Sequence, residues 1–309
     1  MITTVSLNPC IDRLAEVERF DFGGLNRVVG GRYDAGGKGL NVALVVTRLG
    51  LDAECIGLMY KENGRVFENR LLANGTAYEF VWREGRARTN VKLYDRGTGV
   101  MTEINEPGET VNEEQLKKVK ELVLQHAESS DFIVFSGSLP PGCPVDFYQT
   151  LIREVDGLGC RAVLDADGER LVKGIEARPF MIKPNRFELE TMLGERLDSI
   201  PRVRDAALKL IDRGIQVVAV SLGAGGALIT DGRETYFAPK LEVEVKSTVG
   251  AGDSMVAGLT AGFLAEEPLE EVFRRGVACA TAMCMTEGSK TFEKPMYKKA
   301  LEMVKLQKL

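Results

Sequence analysis

Ser247–Gly258 reads STVGAGDSMVAG, with Gly250 and Gly252 flanking Ala251 and Asp253 following at once. Val256, Leu259 and Phe263 then recur at helical spacing, with Gly258, Ala261 and Gly262 expected to permit close packing on a sheet, so Asp253 falls in the first turn of a helix. One reading is local, because aspartate is favoured there through capping and the macrodipole. Capping leaves the two glycines unexplained. They let the backbone approach a ligand, and free N–H groups at residues 250–253 would stabilise developing negative charge. A carboxylate beside such an anion hole is placed to take a hydroxyl proton, the combination that phosphoryl transfer to an alcohol requires.

Other stretches carry compatible chemistry. Gly36-Gly37-Lys38-Gly39 opens a helix whose start suits an anion or a sugar hydroxyl. It is not a Walker loop: Arg32 stands where a glycine is required and Gly39 where Ser or Thr is required. In KPNRFE, Asn185 and Glu188 share a helix face. They are either hard oxygen ligands for a Mg²⁺ held largely through waters or an N-cap with its capping-box partner. Ser221, Gly223 and Gly226 in SLGAGGA form a nucleotide-phosphate turn or a bare β-turn. Arg86, Arg88, Asn90 and Lys92 alternate in GRARTNVKL, so all four are expected on one strand face, turned to an anionic substrate group or to solvent.

These loops need a scaffold. Apolar strands are expected at Ile2–Leu7, Asp131–Ser136, Cys160–Asp165, Phe180–Lys183 and Gln216–Ser221. Amphipathic helices are expected at Lys38–Leu49, Glu113–Gln125, Val145–Gly157, Asn185–Leu193 and Arg202–Arg213. Their alternation predicts a buried parallel sheet with helices on both faces. Residues 13–34 and about 76–106 break the rhythm with charged alternation and glycine turns, and are expected to form a small β lid on a single domain spanning 1–309. In such sheets ligands sit beyond the carboxyl ends of the strands, where NPCID, SGSLPPG, DADGE, KPNRFE, SLGAGG and STVGAGD lie.

Composition narrows the classes. The 309 residues are 44% hydrophobic with a net charge of −5, which argues against a nucleic-acid binder. Six scattered cysteines without CxxC spacing read as reduced thiols. His126, the only histidine, falls in a charged helical segment and is expected to be exposed, which disfavours a Ser-His-Asp triad or a zinc site. The start MITTVSLNPC is not a signal peptide, and the apolar runs are too short to span a bilayer, so a cytoplasmic protein is expected.

Taken together, AGGKGLNVA and STVGAGDSMVAG, with LNPCID, SGSLP, IKPNRFELE and SLGAGGA between and around them, resemble the PfkB-type carbohydrate kinases of the ribokinase-like superfamily over essentially the whole chain. GRARTNVKL and TEINEPG look most like the members acting on fructose 1-phosphate, with the tagatose 6-phosphate kinases as close siblings. The resemblance implies a three-layer α/β/α sandwich with a mostly parallel sheet and a β lid that often dimerises. It also implies transfer of the ATP γ-phosphate, with Mg²⁺, to a hydroxyl of a phosphorylated ketohexose. Carried over by position, Asp253 would be the base and Gly250, Ala251 and Gly252 the anion hole. Asp12, Gly36, Gly37 and Asn41 would hold sugar hydroxyls. Lys38 and Arg88, with Arg86 and Ser138, would bind the existing phosphate. Lys183, Asn185, Glu188, Ser221, Gly223, Gly226 and Thr248 would serve the nucleotide and its metal. The run CATAMCMTEGS from Cys279 is an adenine-pocket candidate by location. A catalytically silent sugar-phosphate sensor would have lost Asp253 or its glycines, and a nucleoside kinase would carry an apolar lid strand.

Overall fold

The computed structural model describes residues 1–288 and 290–309. In chain order the first strands are β1 (Ile2–Ser6), β2 (Cys10–Val17), β3 (Gly30–Gly36), β4 (Ala53–Tyr60), β5 (Ala77–Arg83), β6 (Arg88–Asp95) and β7 (Val100–Asn105). They are followed by β8 (Phe132–Ser136), β9 (Arg161–Asp165), β10 (Met181–Ile182), β11 (Val217–Ser221), β12 (Ala227–Thr230), β13 (Thr235–Ala238) and β14 (Gln307–Lys308). The helices are α1 (Lys38–Leu49), α2 (Arg65–Asn74), α3 (Glu113–Ala127), α4 (Phe147–Asp156) and α5 (Gly168–Ile175). The remainder are α6 (Arg186–Leu193), α7 (Ile200–Ile211), α8 (Ala251–Leu264), α9 (Leu269–Cys284) and α10 (Lys294–Met303).

Ten strands form one sheet in the order β14-β13-β12-β11-β10-β9-β8-β1-β4-β5. The run from β11 to β5 is parallel, and β12, β13 and β14 extend it antiparallel. The central strands are apolar at successive positions because both faces are covered. In β8, Ile133 and Phe135 join a core with α3, α4 and α7, whereas Phe132 and Val134 join a second core with α1, α8 and α9. Three layers result.

The carboxyl ends of the parallel strands set out a row. Ser138 follows β8, Asp165 ends β9, Lys183 follows β10 and Ser221 ends β11. Opposite them, α8 starts at Ala251 behind its N-cap Gly250. A Cβ on Gly258 would come 2.8 Å from the Arg275 carbonyl oxygen, and one on Gly262 would come 2.9 Å from the Val272 Cα. The small residues of α8 therefore admit α9 rather than the sheet.

The second sheet has four strands in the order β3-β2-β6-β7. Its boundaries differ from those expected. Ala77–Arg83 is not part of it but pairs in parallel with β4 at the edge of the large sheet. An edge strand covered on one face alternates as a lid strand does, and its sequence pattern does not separate the two. His126 also departs from expectation. Its Nδ1 lies 2.9 Å from Glu54 and its Nε2 3.0 Å from Glu79, which ties the end of α3 to β4 and β5. Among the described residues no helix is long and apolar enough to cross a membrane.

Candidate active site

Gly250 caps α8 in the left-handed region at φ 76°, a conformation that excludes most side chains. The N–H of Ala251 closes a turn on the Thr248 carbonyl at 3.3 Å, so Ala251 does not offer the free donor expected of it. The N–H groups of Gly252 and Asp253 have no acceptor among the described residues and remain open to a ligand. Asp253 does not cap the helix with its side chain. Its carboxylate, 6% exposed, turns instead to Asn41, whose Nδ2 donates to Oδ2 at 2.8 Å. Burial pushes the Asp253 carboxyl above the usual carboxylate range, with Lys38 opposing and Asp165 adding to the shift.

Beneath this turn two ammonium groups share one carboxylate. Lys38 Nζ and Lys183 Nζ each lie 3.4 Å from Asp165 Oδ1. Burial alone would raise Asp165, but the two lysines outweigh it and hold the carboxyl low. Burial works against the Lys38 charge, yet Asp165, then Asp253 and Glu188, keep its pKa above the ordinary lysine value. A Cβ on Gly252 would lie 3.3 Å from Lys183 Nζ, so glycine there leaves room for the ammonium under the open amides. Apart from the carboxylate that closes the apolar run CRAVLD at a strand's carboxyl end, nothing in its local sequence gives Asp165 a role at the site.

On the far side of Lys183 the capping alternative for KPNRFE is realised. Asn185 Oδ1 accepts from the Glu188 N–H at 2.8 Å, and Glu188 Oε2 accepts from the Asn185 N–H at 2.8 Å. Oε1 of Glu188 stays outside that exchange, and burial raises this carboxyl. One carboxylate oxygen left out of the cap fits a divalent cation reached through water rather than chelated by both residues. The adjoining cavity of about 550 Å³ is lined by Asn185, Ser221, Gly223, Gly226, Thr248, Ala251 and Gly252. Apolar side chains line it as well, Leu241, Val243, Val245, Val277 and Ala280 among them, joined by Thr281 and Cys284 of the run proposed for adenine. Ser289, the last residue of that run, lies outside the described residues. Gly226 has a structural reason of its own: at φ 95° a Cβ would come 2.0 Å from the Ala238 carbonyl oxygen.

The small sheet supplies the opposite wall. Asp12 and Lys92 are both buried and form an ion pair at 3.2 Å, so Lys92 is neutralised rather than free for an anion. A Cβ on Gly36 would lie 2.7 Å from Asp12 Oδ2, and Gly37 turns the chain into α1 at φ 124°. Asn41 Oδ1 is buried without a partner among the described residues, an acceptor that a hydroxyl would satisfy. Arg88 is fixed by the carbonyls of Asn8 (3.3 Å) and Glu106 (2.9 Å), by Asn90 Oδ1 (3.2 Å) and by the Ser138 hydroxyl (3.3 Å). Arg86 precedes β6 and is exposed, and lies outside the cavity lined by Arg88 and Ser138. Lys38 lies outside it too, its ammonium being with Asp165.

The sequence matches the model of the pfkB family carbohydrate kinases over residues 3–295. The chain belongs to the PfkB family. It is therefore a sugar kinase, a phosphotransferase for which ATP is a substrate. The 1-phosphofructokinase of Bacillus subtilis (strain 168) is 37% identical over 290 residues, 93% of this chain and 93% of that protein. The 1-phosphofructokinase of Escherichia coli (strain K12) is 36% identical over 280 residues, covering 90% and 89%. The crystal structure of phosphofructokinase-2 from Escherichia coli in complex with substrates and products superposes with a TM-score of 0.91 at 29% identity, over 97% of this chain and 98% of that one. The large parallel sheet and its flanking helices are the ribokinase-like architecture of these PfkB neighbours.

Proposed function

We propose that this PfkB kinase is a 1-phosphofructokinase, converting fructose 1-phosphate and ATP to fructose 1,6-bisphosphate and ADP. The observation that carries the reading is the Asp253 carboxylate, held by Asn41 and raised by burial, beside two open backbone amides. In this reading ATP fills the apolar cavity with its terminal phosphate at the α8 N-terminus, over Lys183. The sugar lies under the small sheet, with hydroxyls at Asp12 and Asn41 Oδ1 and its phosphate toward Arg88 and Ser138. The acceptor hydroxyl gives its proton to Asp253 as its oxygen bonds to the γ-phosphorus. The bond from that phosphorus to the β,γ-bridging oxygen breaks, and ADP departs. The Gly252 and Asp253 N–H groups, with Lys183 and Lys38, meet the charge that develops on the transferred group. Glu188, through the oxygen that the helix cap leaves out, would hold Mg²⁺ by way of water, and that ion would supply charge neutralisation on the nucleotide phosphates, while Asn185 stays with the cap.

A homodimer through the small sheet is part of the same reading. Tyr33, Val91 and Ile104 lie in one line across its strands, on the face opposite Asp12, and Tyr33 and Ile104 are exposed. Six unpaired thiols favour a cytoplasmic location. Coupled measurement of ADP release with fructose 1-phosphate, fructose 6-phosphate and tagatose 6-phosphate tests the substrate. The highest kcat/KM is expected for fructose 1-phosphate. A higher value for tagatose 6-phosphate or fructose 6-phosphate would reassign the acceptor, and no ADP with any of them would favour a sensor.

A further inference from the structure

A cavity of about 390 Å³ adjoins the Arg88 guanidinium, and Asn8, Ser138, Cys143 and Arg170 are among its walls. Among the described residues no carboxylate lines it. Arg88 brings five N–H donors, of which four are engaged: Nε on Asn8, two from Nη1 on Asn90 and Glu106, and one from Nη2 on Ser138. One donor is left for a ligand. A phosphate dianion presents three acceptor oxygens, and Arg88 alone is poorly supplied for it.

Arg170, from the first turn of α5, reaches the same cavity. Its Nε donates to Asp167 Oδ1 at 3.2 Å and its Nη2 to the same oxygen. Both Nη1 donors and the second on Nη2 have no partner among the described residues. Asp167 is the N-cap of α5, yet its carboxylate makes no capping bond and is turned to Arg170 instead. A cap of that type is ordinarily worth more to a helix than an exposed ion pair three residues apart, so stability does not account for the arrangement. We propose that Arg170 is a second guanidinium for the existing phosphate of the sugar, sharing this cavity with Arg88 and setting the preference for phosphorylated over free ketohexose. The proposal rests on the reading that this cavity takes the sugar's phosphate.

Isothermal titration of the full chain with fructose 1-phosphate, without nucleotide, tests it. Arg170→Ala is expected to raise the Kd roughly 10- to 100-fold, and Arg170→Lys to fall between it and the wild type. Titration with fructose is expected to show no such difference between the variants. Thermal melting of each variant reports folding separately. An unchanged Kd for Arg170→Ala, or an equal loss with fructose, would overturn the proposal. If the wild type instead binds fructose 6-phosphate or tagatose 6-phosphate, the substrate reading fails and the same comparison with that ligand decides Arg170. A folded wild type that binds no sugar phosphate overturns both.

Discussion

Asn41 and Asp253 are 212 residues apart in the chain, yet Nδ2 of the first donates to Oδ2 of the second across 2.8 Å. This bond joins the two glycine-rich helix starts into one site. It fixes the carboxylate that we propose as the proton acceptor while leaving the amide oxygen of Asn41 without a partner among the described residues.

Asp253→Asn keeps the shape and the contact with Asn41 but removes the proposed base. Its kcat is expected to fall by roughly 10²–10⁴ with the KM for sugar phosphate changed only a few-fold, read by steady-state kinetics. Near-normal turnover would remove Asp253 from the reaction. The same variant should melt higher. A carboxyl raised in the folded state disfavours folding at pH values above its folded pKa, and a neutral amide lifts that cost.

The pH dependence follows from the same shift. The base form accumulates only above the raised pKa, so the acid limb of kcat/KM should lie above the ordinary aspartate value of about 3.9. The substrate's own phosphate also titrates, near about pH 6. The limb due to Asp253 is the one that vanishes in the residual activity of Asp253→Asn, and a profile that keeps its shape would contradict the assignment.

Asp165→Asn strips two ammonium groups of their shared carboxylate. Lys183 is 6% exposed and cannot regain water, whereas Lys38 is 37% exposed. A loss of about 3 kcal/mol, the low end for breaking a buried pair, is expected in denaturant titration at neutral pH. Because the Asp165 pKa is depressed, its contribution is present above the unfolded aspartate value and disappears as pH falls through the lower folded one. The gap between the variants should narrow under strong acid.

Arg88→Ala should raise the KM for the sugar phosphate roughly 10- to 100-fold, and more than it lowers kcat. An unchanged KM would take Arg88 out of the pocket.

Glu188→Gln leaves an acceptor for the Asn185 N–H but removes the charge. The Mg²⁺ concentration for half-maximal activity should rise roughly tenfold, with little change in melting temperature. An unshifted Mg²⁺ titration would leave Glu188 with the helix cap alone.

The parallel core was legible because it is written in local pattern: apolar runs of strand length alternating with helical periodicity, as at Phe132–Ser136 and Glu113–Ala127. The placement of Asp253 was equally local, a first-turn position after two glycines. What the sequence withheld was pairing between distant segments. Nothing near Ala77–Arg83 says that its neighbour is β4, and nothing near Lys92 or His126 announces Asp12, Glu54 or Glu79 as partners. Asp165 was missed for the same reason, since its meaning arises only when Lys38 and Lys183 converge on it.

Asp12 and Arg88 are borne on adjacent strands of the small sheet, two positions apart in a ladder that pairs Cys10 with Arg88 and Asp12 with Asn90. With the roles proposed for them, a tilt of that sheet would carry the Asp12 carboxylate and the Arg88 guanidinium as one piece, and neither would let go of a sugar while the other kept its grip. Capture and release of the acceptor would then be all-or-none events, with no partly gripped intermediate from which a nucleotide's phosphoryl group could be lost to solvent.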